Sequence, residues 1–521
     1  MKRYQITSNI PHLRLNLLCL TILLCCSLQA LSITNSIQNR SQNSDPIKSQ
    51  QGQIRNIAFT NVSVLPITTK EVLANQTVVI QDGKIRKIGP SGETKIPKGT
   101  RTINGNRKFL APGLADMHVH LMEPNQTRMM VNYGVTTVRN MGVCPRKGSI
   151  PSTLELIKQV NQGELLGPRI LTAGPIIDGS PKIWLESVGI QSVDEGISEV
   201  RRQFEVPYDF IKVYSMLSPY PFFGIAKEAN RLGIPFAGHV PESITIHEAV
   251  KAGMRTMEHM IGFDSGTLAK GITLGPYGSA QRAQIGLDIK NGVLSPEGVF
   301  DSKKLLALAD EVSKSNTWVV PTLSIFKGLM KSHKAKKRAL RKSKIAYVTP
   351  LILDTWNPAK DIRVSWMSEK QLAGQRVLDH LNMERLKKLS DAGVKLLIGT
   401  DTPNPFVFDG LSVHTEMALF VEAGVPTYET IRAATIGPAH SIDEQGEWGE
   451  VIEGARADLV LLKDNPLEDI KHYRNIVGVV LNGLWLDRSK LKEMKAEVAA
   501  DYARGRQTIL EKPPGLHLCA R

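Results

Sequence analysis

Six polar side chains, four of them histidines, stand at the ends of short apolar runs and together could hold metal ions. His118 and His120 close the segment 111–120, Ala-Pro-Gly-Leu-Ala-Asp-Met-His-Val-His. If this segment is a strand, residues two positions apart project from one face, so both imidazoles can reach one cation. Nitrogen and oxygen donors suit Zn2+ and similar ions, so the pattern predicts a metal centre. The other candidates lie farther along the chain: Lys212, His239, His259 and Asp401.

The elements that would carry these residues repeat along the chain. His239 ends the apolar stretch that precedes it, His259 follows the segment 253–258, and Asp401 closes the run 393–400. Each run comes after a helix-like segment and a glycine, an alternation that predicts an α/β fold with a (β/α)8 TIM-type barrel. In such a barrel the reactive side chains lie at the C-terminal ends of the strands, where these candidates fall.

The spacing of the candidates agrees with consecutive βα units, which take roughly 30 residues each. Lys212 precedes His239 by 27 residues, and His239 precedes His259 by 20. The interval between the first histidine pair and Lys212 leaves room for about three units, which makes Lys212 a strand-4 residue. The 142 residues from His259 to Asp401 are too many for two units, so an insertion is expected near 265–365.

With these motifs in this order, the chain resembles the amidohydrolase superfamily, and within it the imidazolonepropionase-like and Xaa-Pro-dipeptidase-like branch. The resemblance implies a metal-dependent hydrolase in which a metal-activated hydroxide attacks a carbonyl or related carbon. It also implies a small substrate with an amide-type C–N bond, such as an N-acyl amino acid or an Xaa-Pro dipeptide. The resembling stretches span about residues 57 to 486: 111–120, 209–214, 238–241, 257–259, 399–401 and 454–461.

The resemblance further implies a centre of two divalent ions, with Zn2+ as the expected metal. Lys212 aligns with the strand-4 lysine of the two-metal branch, where a carbamate formed from CO2 bridges the ions. A single ion stays open as an alternative, as does a Lys212 ammonium that pairs with Asp209. The bridging lysine would complete two ligand groups: His118, His120 and Asp401 on one ion, and His239 and His259 on the other.

Two residues are predicted to act on the substrate. Asp401, bound through one carboxylate oxygen, can accept a proton from water through the other and pass it to the leaving amine. Tyr214, two residues beyond Lys212, can donate a hydrogen bond to a substrate carbonyl or carboxylate. One alternative is a mononuclear deaminase or cyclic-amide (imidazolone-type) hydrolase that uses Glu242, three residues after His239. A non-catalytic scaffold of the same fold is the other alternative.

The N-terminal residues indicate export. An apolar run at 15–28 follows basic residues and is short for a membrane span, so residues 1–32 are predicted to be a signal peptide and the protein periplasmic or secreted. An uncleaved anchor stays open, but no stable membrane span is expected after cleavage. Residues 33–54 are rich in Ser, Asn and Gln and are predicted to form a disordered tether. Only two of the five cysteines follow the signal, which excludes a disulfide framework.

Strand-like segments flank the barrel on both sides. Short alternating strands with turn signals fill 55–110, including a hairpin at 81–83, and similar strands return at 451–487. These two segments are predicted to form one small β-sandwich beside the barrel at 111–450. The remaining residues, 488–521, are predicted to form a helix and a tail because apolar residues recur at helical spacing.

The formal net charge of +15 raises the question of a polyanionic partner. The basic run 327–344 holds nine Lys or Arg in eighteen residues, yet it lacks interleaved aromatic residues, and the sequence contains no recognisable nucleic-acid module. We therefore expect this run to be a solvated helix in the insertion, with no nucleic-acid partner. The expected partner is a small-molecule substrate, and homo-oligomerisation stays open.

Overall fold

The computed structural model describes residues 56–143, 153–275, 279–353, 355–361 and 363–511. All of them fall within one unit, Lys48–Arg521. The predicted signal peptide at 1–32, the predicted tether at 33–54 and all five cysteines lie outside the described residues.

Strands from both ends of the chain form one mixed sheet of eight strands. The first part of the chain supplies β1 (Ile57–Val64), β2 (Leu73–Gln81), β3 (Lys84–Pro90), β4 (Arg101–Asn104) and β5 (Phe109–Pro112), and the last part supplies β15 (Leu459–Leu462), β16 (Ile476–Leu481) and β17 (Leu484–Asp487). The two parts join where β15 pairs antiparallel with β5. These pairings define one sheet, so the expected two-layer sandwich is not confirmed.

The turn between β2 and β3 has the predicted hairpin geometry. The two strands pair antiparallel up to Gln81 and Lys84. The two residues between them, Asp82 and Gly83, have φ angles of 50° and 73°. Positive φ at both central positions matches the right-handed twist of the strands, which is why an Asp-Gly pair predicts this turn.

Nine strands of the middle of the chain pair only in parallel among the residues described. Three form one sheet: β6 (Leu114–Val119), β7 (Val135–Asn140) and β8 (Arg169–Thr172). Six form another, in the order β10-β9-β11-β12-β13-β14: β9 (Ile177–Gly179), β10 (Val188–Ile190), β11 (Ile211–Val213), β12 (Phe236–Gly238), β13 (Thr256–Glu258) and β14 (Trp318–Val320). Isolated parallel bridges link the sheet edges: Ala173–Phe210, Val319–Leu396 and Val119–Thr402.

Parallel strands that alternate with helices make this a TIM-barrel-like α/β fold. The strand ladders do not form one continuous sheet, so the closed eight-stranded barrel is not confirmed. The helices of the first half are α1 (Pro124–Asn132), α2 (Thr153–Asn161), α3 (Val193–Phe204), α4 (Pro219–Leu232), α5 (Ile246–Lys251), α6 (Ala280–Lys290), α7 (Pro296–Val299) and α8 (Ser302–Lys314). Those of the second half are α9 (Leu323–Leu329), α10 (His333–Ala339), α11 (Glu369–Asp391), α12 (Leu411–Glu422), α13 (Thr427–Ala433), α14 (Ile436–Ser441) and α15 (Arg488–Glu511).

The basic run 327–344 is not the single helix that its composition predicts, although seven of its nine Lys and Arg side chains are exposed, as expected. It covers the end of α9, all of α10 and the start of the 3-10 turn Ser343–Tyr347. Lys336 in α10 is only 2% exposed. Apolar residues lie among the basic ones and bring part of the run against the fold: Ala339 and Leu340 pack against a buried cluster that contains Trp356 and Phe406. This packing draws the segment onto the loop after Asp401.

The last described element is the long helix α15, which begins at the first residue of the predicted segment 488–521. Its buried residues recur every three to four positions and face the rest of the fold: Leu491, Met494, Val498 and Tyr502. None of the helices within the described ranges combines the length and the apolar character needed to cross a bilayer.

Candidate metal centre

The structure brings all six predicted ligand residues to the C-terminal ends of the parallel strands. His118 lies at the end of β6, and His239 and His259 directly follow β12 and β13. Lys212 lies within β11, and Asp401 lies between Leu396, which bridges to β14, and Thr402, which bridges to β6. This placement is the one that a TIM-barrel-like fold gives to reactive side chains.

Three of these residues approach one another closely enough to share a cation. The Nε2 atoms of His118 and His120 lie 3.4 and 3.2 Å from Asp401 Oδ1. One donor atom from each of the three residues lies within 4.8 Å of the others. The rings of the other two histidines adjoin this group: the centroid of His259 is 4.6 Å from that of His118 and 4.8 Å from that of His239.

Lys212 is enclosed within the same cluster. Its side chain is buried, and this burial lowers the pKa of its amine to about 8, although the carboxylates of Glu258 and Asp401 oppose the change. The alternative partner, Asp209, is exposed, and its carboxylate accepts a hydrogen bond from the Thr172 amide at 2.7 Å. The carboxylates that act on Lys212 are therefore Glu258 and Asp401, both within the cluster.

Second contacts fix the orientation of three imidazoles. Each uses its Nδ1 atom in a contact away from the cluster: His118 with Glu258 Oε2 at 2.7 Å, His239 with Ser215 Oγ at 2.8 Å, and His259 with Thr322 Oγ1 at 2.7 Å. Contacts of this kind on Nδ1 leave Nε2 to face a metal, as in most histidine metal sites. His118 Nε2 fits this arrangement, because it is buried and has no hydrogen-bond partner among the described residues.

The protonation states also suit a metal. Burial lowers the pKa of His118 and His239 well below the usual value and that of His259 to about 4. Burial opposes ionisation of Asp401, but its hydrogen bond with His120 and the nearby His259 hold the pKa of this carboxyl below its usual value. Neutral imidazoles and an ionised carboxylate are the forms that bind divalent ions, so the residues present fit such a centre.

Glu258 is a supporting residue that the sequence analysis did not assign. It is fully buried, and its Oε1 accepts hydrogen bonds from Arg139 Nη2 at 2.8 Å and from Thr256 Oγ1. Its other oxygen contacts His118 Nδ1, so Glu258 joins β13 to β7 and β6. Its position in the sequence could have indicated this role. Thr256 and Glu258 are two residues apart in β13 and share one face, as residues that point into a barrel do.

Asp116 fixes the position of Asp401. Its Oδ1 accepts hydrogen bonds from the amides of Thr400 at 2.9 Å and His118 at 3.3 Å, and its Oδ2 accepts from Thr400 Oγ1 at 2.6 Å. Burial raises the pKa of the Asp116 carboxyl to about 7. The contacts hold the residue before Asp401 against β6, which carries the first histidine pair.

The backbone at three strand ends adopts the left-handed conformation. The φ angles are 61° at His259, 50° at Thr322 and 61° at Asp401. This region disfavours residues other than glycine, and β-branched residues most of all. Such backbone strain clusters at functional sites, where the surrounding structure must hold it.

Tyr214 packs on the ring of His239, whose Nδ1 contacts Ser215. Its ring stacks on the imidazole of His239 with centroids 3.9 Å apart. Its hydroxyl oxygen accepts a hydrogen bond from Trp184 Nε1 at 2.7 Å. Burial raises the pKa of Tyr214, which keeps the hydroxyl protonated. The hydroxyl hydrogen is therefore available to donate to another oxygen.

Glu242, the residue on which the deaminase alternative depends, is exposed. Its backbone amide donates to the carbonyl of Ser215 at 3.0 Å, which fixes the loop after β12. The exposed side chain places Glu242 in a different environment from the enclosed histidines.

Proteins with similar sequences and structures share this architecture. Ochratoxinase from Aspergillus niger is 22% identical over 466 residues, which cover 78% of this chain and 80% of that protein. The structure of bottromycin amidohydrolase is similar with a TM-score of 0.67 and 19% identity, covering 90% of this chain and 96% of that chain. A Xaa-Pro dipeptidase with bound methionine in the active site gives a TM-score of 0.59 at 19% identity, covering 83% of this chain and 100% of that chain.

The fold and these similarities place the chain among TIM-barrel-like α/β proteins. The model of the amidohydrolase family matches residues 109–486, most of the chain, so this protein belongs to the amidohydrolase family. It is accordingly a hydrolase that acts on carbon–nitrogen bonds. Divalent metals are general in this family, and the clustered histidines and aspartate could hold one.

Proposed function

We propose that this protein is an exported two-metal amidohydrolase that cleaves the amide bond of an N-acyl amino acid or an Xaa-Pro dipeptide. The observation that carries the proposal is the convergence of six donors, three of whose four imidazoles are already oriented by Nδ1 contacts. His118, His120 and Asp401 would hold one ion, and His239 and His259 the other. Lys212, as a carbamate formed with CO2, would bind both ions.

The protein's own residues account for the handling of protons and substrate. When bound, divalent ions of this kind supply a water-derived nucleophile near pH 7. Asp401 can take a proton from the attacking water and deliver it to the departing amine, because its carboxylate is ionised and lies beside His120. Tyr214 can donate its hydroxyl hydrogen to a substrate oxygen, since Trp184 already occupies a lone pair of that hydroxyl.

The similar proteins support the choice of substrate class. Ochratoxinase, a Xaa-Pro dipeptidase and bottromycin amidohydrolase all resemble this chain over most of its length. The deaminase or cyclic-amide alternative receives less support, because Glu242 is exposed. The alternative of a non-catalytic scaffold also receives less support, because the chain keeps all six candidate ligands.

A screen on metal-loaded protein tests the activity. The full mature chain is loaded with Zn2+ in bicarbonate, its metal content is measured, and a library of N-acyl amino acids and dipeptides is screened for release of free amino acids. We expect about two ions per chain and cleavage that Asp401→Asn reduces at least about 100-fold while the metal is still bound. One ion per chain, with turnover confined to deamination or cyclic amides, would overturn the proposal.

Export is tested separately. The N-terminal sequence of the protein recovered outside the cytoplasm of the producing cell should begin near residue 33, after the predicted signal peptide. Recovery of the chain only inside the cytoplasm with its original N-terminus would contradict export and leave the proposed activity in place.

A further inference from the structure

We propose that Arg363 recognises a carboxylate of the substrate, so that the enzyme prefers acyl amino acids and dipeptides with a free C-terminal carboxylate. This inference rests on the proposed function and assigns a specificity-determining residue to it. Arg363 belongs to the segment between the 3-10 turn Pro350–Ile352 and α11. No sequence motif marks it, because the segment lies within the expected insertion.

The position of Arg363 ties it to the metal-centre loop. Its Nη1 atom donates a hydrogen bond to Asn404 Oδ1 at 2.6 Å. Asn404 in turn donates through Nδ2 to the backbone oxygen of Asp401 at 2.8 Å. Nearby, Trp356 Nε1 donates to the Pro403 oxygen at 3.0 Å, so the insertion is fastened to the same turn at two points. The guanidinium is thus two hydrogen bonds away from a candidate metal ligand.

The guanidinium is held by Asp361 and Asn404 and stays partly exposed. Asp361, which is buried, accepts from Arg363 Nε at 2.9 Å through Oδ1 and from Nη2 at 3.1 Å through Oδ2. This pair uses the Nε–Nη2 edge. Nη1 and Nη2 each carry a second hydrogen, and together these form the edge that suits a planar carboxylate. The Arg363 side chain is 28% exposed, so a ligand can reach it.

The charge balance leaves Arg363 able to attract an anion. Asp361 also faces the buried amine of Lys336, whose Nζ has no hydrogen-bond partner among the described residues. Asp361 therefore acts on two basic groups, and Glu369 also acts on Lys336. Arg363 also acts electrostatically on Tyr214, where it opposes the effect of burial on the pKa of the phenol. The cation is held in place through Asn404, which also binds the backbone of Asp401.

A substrate-swap experiment tests this assignment. kcat/KM is measured for an N-acyl amino acid and for the matching C-terminal carboxamide, with wild type, Arg363→Gln and Arg363→Lys. We expect Arg363→Gln to lower kcat/KM for the acid about 100-fold and to change the amide less than about threefold, because only the acid uses the charged edge. Arg363→Lys should restore part of the loss. Arg338→Gln, which removes an exposed charge from α10, is the control and should leave both values unchanged.

A double variant and a binding measurement complete the experiment. Because Arg363→Gln leaves Asp361 without its partner, the double variant Asp361→Asn/Arg363→Gln is measured alongside it and should show the same selective loss. Equilibrium binding of the acid and the amide is measured as well. Equal loss for both ligands, or wild-type protein that does not distinguish them, overturns the assignment. Discrimination in binding without any turnover overturns the proposed function but supports Arg363.

Discussion

Thr322 combines an unfavourable backbone with a contact to the site. Its φ of 50° lies in a region that a β-branched residue rarely enters. Its Oγ1 lies 2.7 Å from His259 Nδ1. If Nε2 of His259 faces a metal, Nδ1 carries the hydrogen and donates it to Thr322. This second contact fixes the plane of the imidazole ring.

Removal of the Thr322 hydroxyl should weaken metal binding. In Thr322→Val, which keeps the β-branched shape, we expect metal affinity to fall about 10–100-fold, as is typical when the outer partner of a histidine ligand is lost. Chelator competition on Zn2+-loaded protein measures the affinity. Thr322→Ser keeps the hydroxyl and should bind metal like wild type. Equal affinity of the Val and Ser variants would show that the contact does not orient His259.

The candidate ligands were predictable from sequence, but their outer partners were not. Metal ligands follow apolar strand-like runs, and His-x-His places two rings on one face, so local patterns reveal them. The partners come from other strands: Thr322 is 63 positions from His259, and Glu258 is 140 positions from His118. Only the packing of neighbouring strands brings such pairs together, and no local spacing encodes it.

At the scale of elements, one carboxylate holds the start of α9 against α12. Glu416 in α12 accepts hydrogen bonds from the amides of Leu323 at 2.6 Å and Ser324 at 2.7 Å. These are the first residues of α9, directly after Thr322. Ser324 Oγ also donates to the backbone oxygen of Thr400 at 3.3 Å. The first turn of α9 therefore connects Thr400, which precedes Asp401, with Thr322, which contacts His259.

Loss of this carboxylate should loosen both the helix start and the site. Glu416→Gln removes one of two acceptors and turns an amide NH2 toward a backbone N–H. We expect the free energy of unfolding to fall by about 1–3 kcal/mol. Urea denaturation measures this, and chelator competition should show weaker metal binding in the same variant.

Glu422→Gln provides the matched control for this prediction. Glu422 lies at the end of the same helix and is exposed. Its substitution should change the free energy of unfolding by no more than about 0.5 kcal/mol. A loss of stability in Glu416→Gln with unaltered metal affinity would show that the start of α9 does not influence metal binding.

Some parallel strands were predictable as elements, because β6 and β12 are short apolar runs that lead to a histidine, whereas nothing of the kind marks β9 and β10. The basic run 327–344 was not predictable in its packing, since its composition indicates a solvated surface. Its contact with the fold depends on Trp356 and Phe406, which come from two other segments and pack with Ala339 and Leu340. Tertiary packing of this kind overrides composition.

At the scale of the whole molecule, buried histidines set part of the pH dependence of stability. His414 in α12 is buried and donates through Nε2 to the Tyr133 oxygen at 2.9 Å. Burial lowers its pKa from 6.5 to about 4. Between these values the unfolded chain binds a proton that the folded chain does not. Stability therefore falls as the pH drops from about 6.5 toward 4.

A single substitution should remove this contribution. At pH 5, His414 lowers the free energy of unfolding by up to roughly 2 kcal/mol relative to pH 7. His414→Gln can still donate to Tyr133 but cannot titrate, so its urea midpoint should fall less between pH 7 and pH 5. His380→Gln, at an exposed position of α11, is the control. An unchanged pH response in His414→Gln would show that this imidazole is not held neutral.

The sheet built from both chain ends has a consequence for synthesis. The Tyr473 hydroxyl donates to the Pro112 oxygen across 361 positions, and β15 covers the flank of β5. While a ribosome is still making the second half, β5 presents bare backbone amides and carbonyls along that flank, and such edges recruit other chains. Chains truncated before β15 should therefore aggregate rather than persist as partly active fragments. A nascent molecule must therefore shield that edge until β15 has emerged.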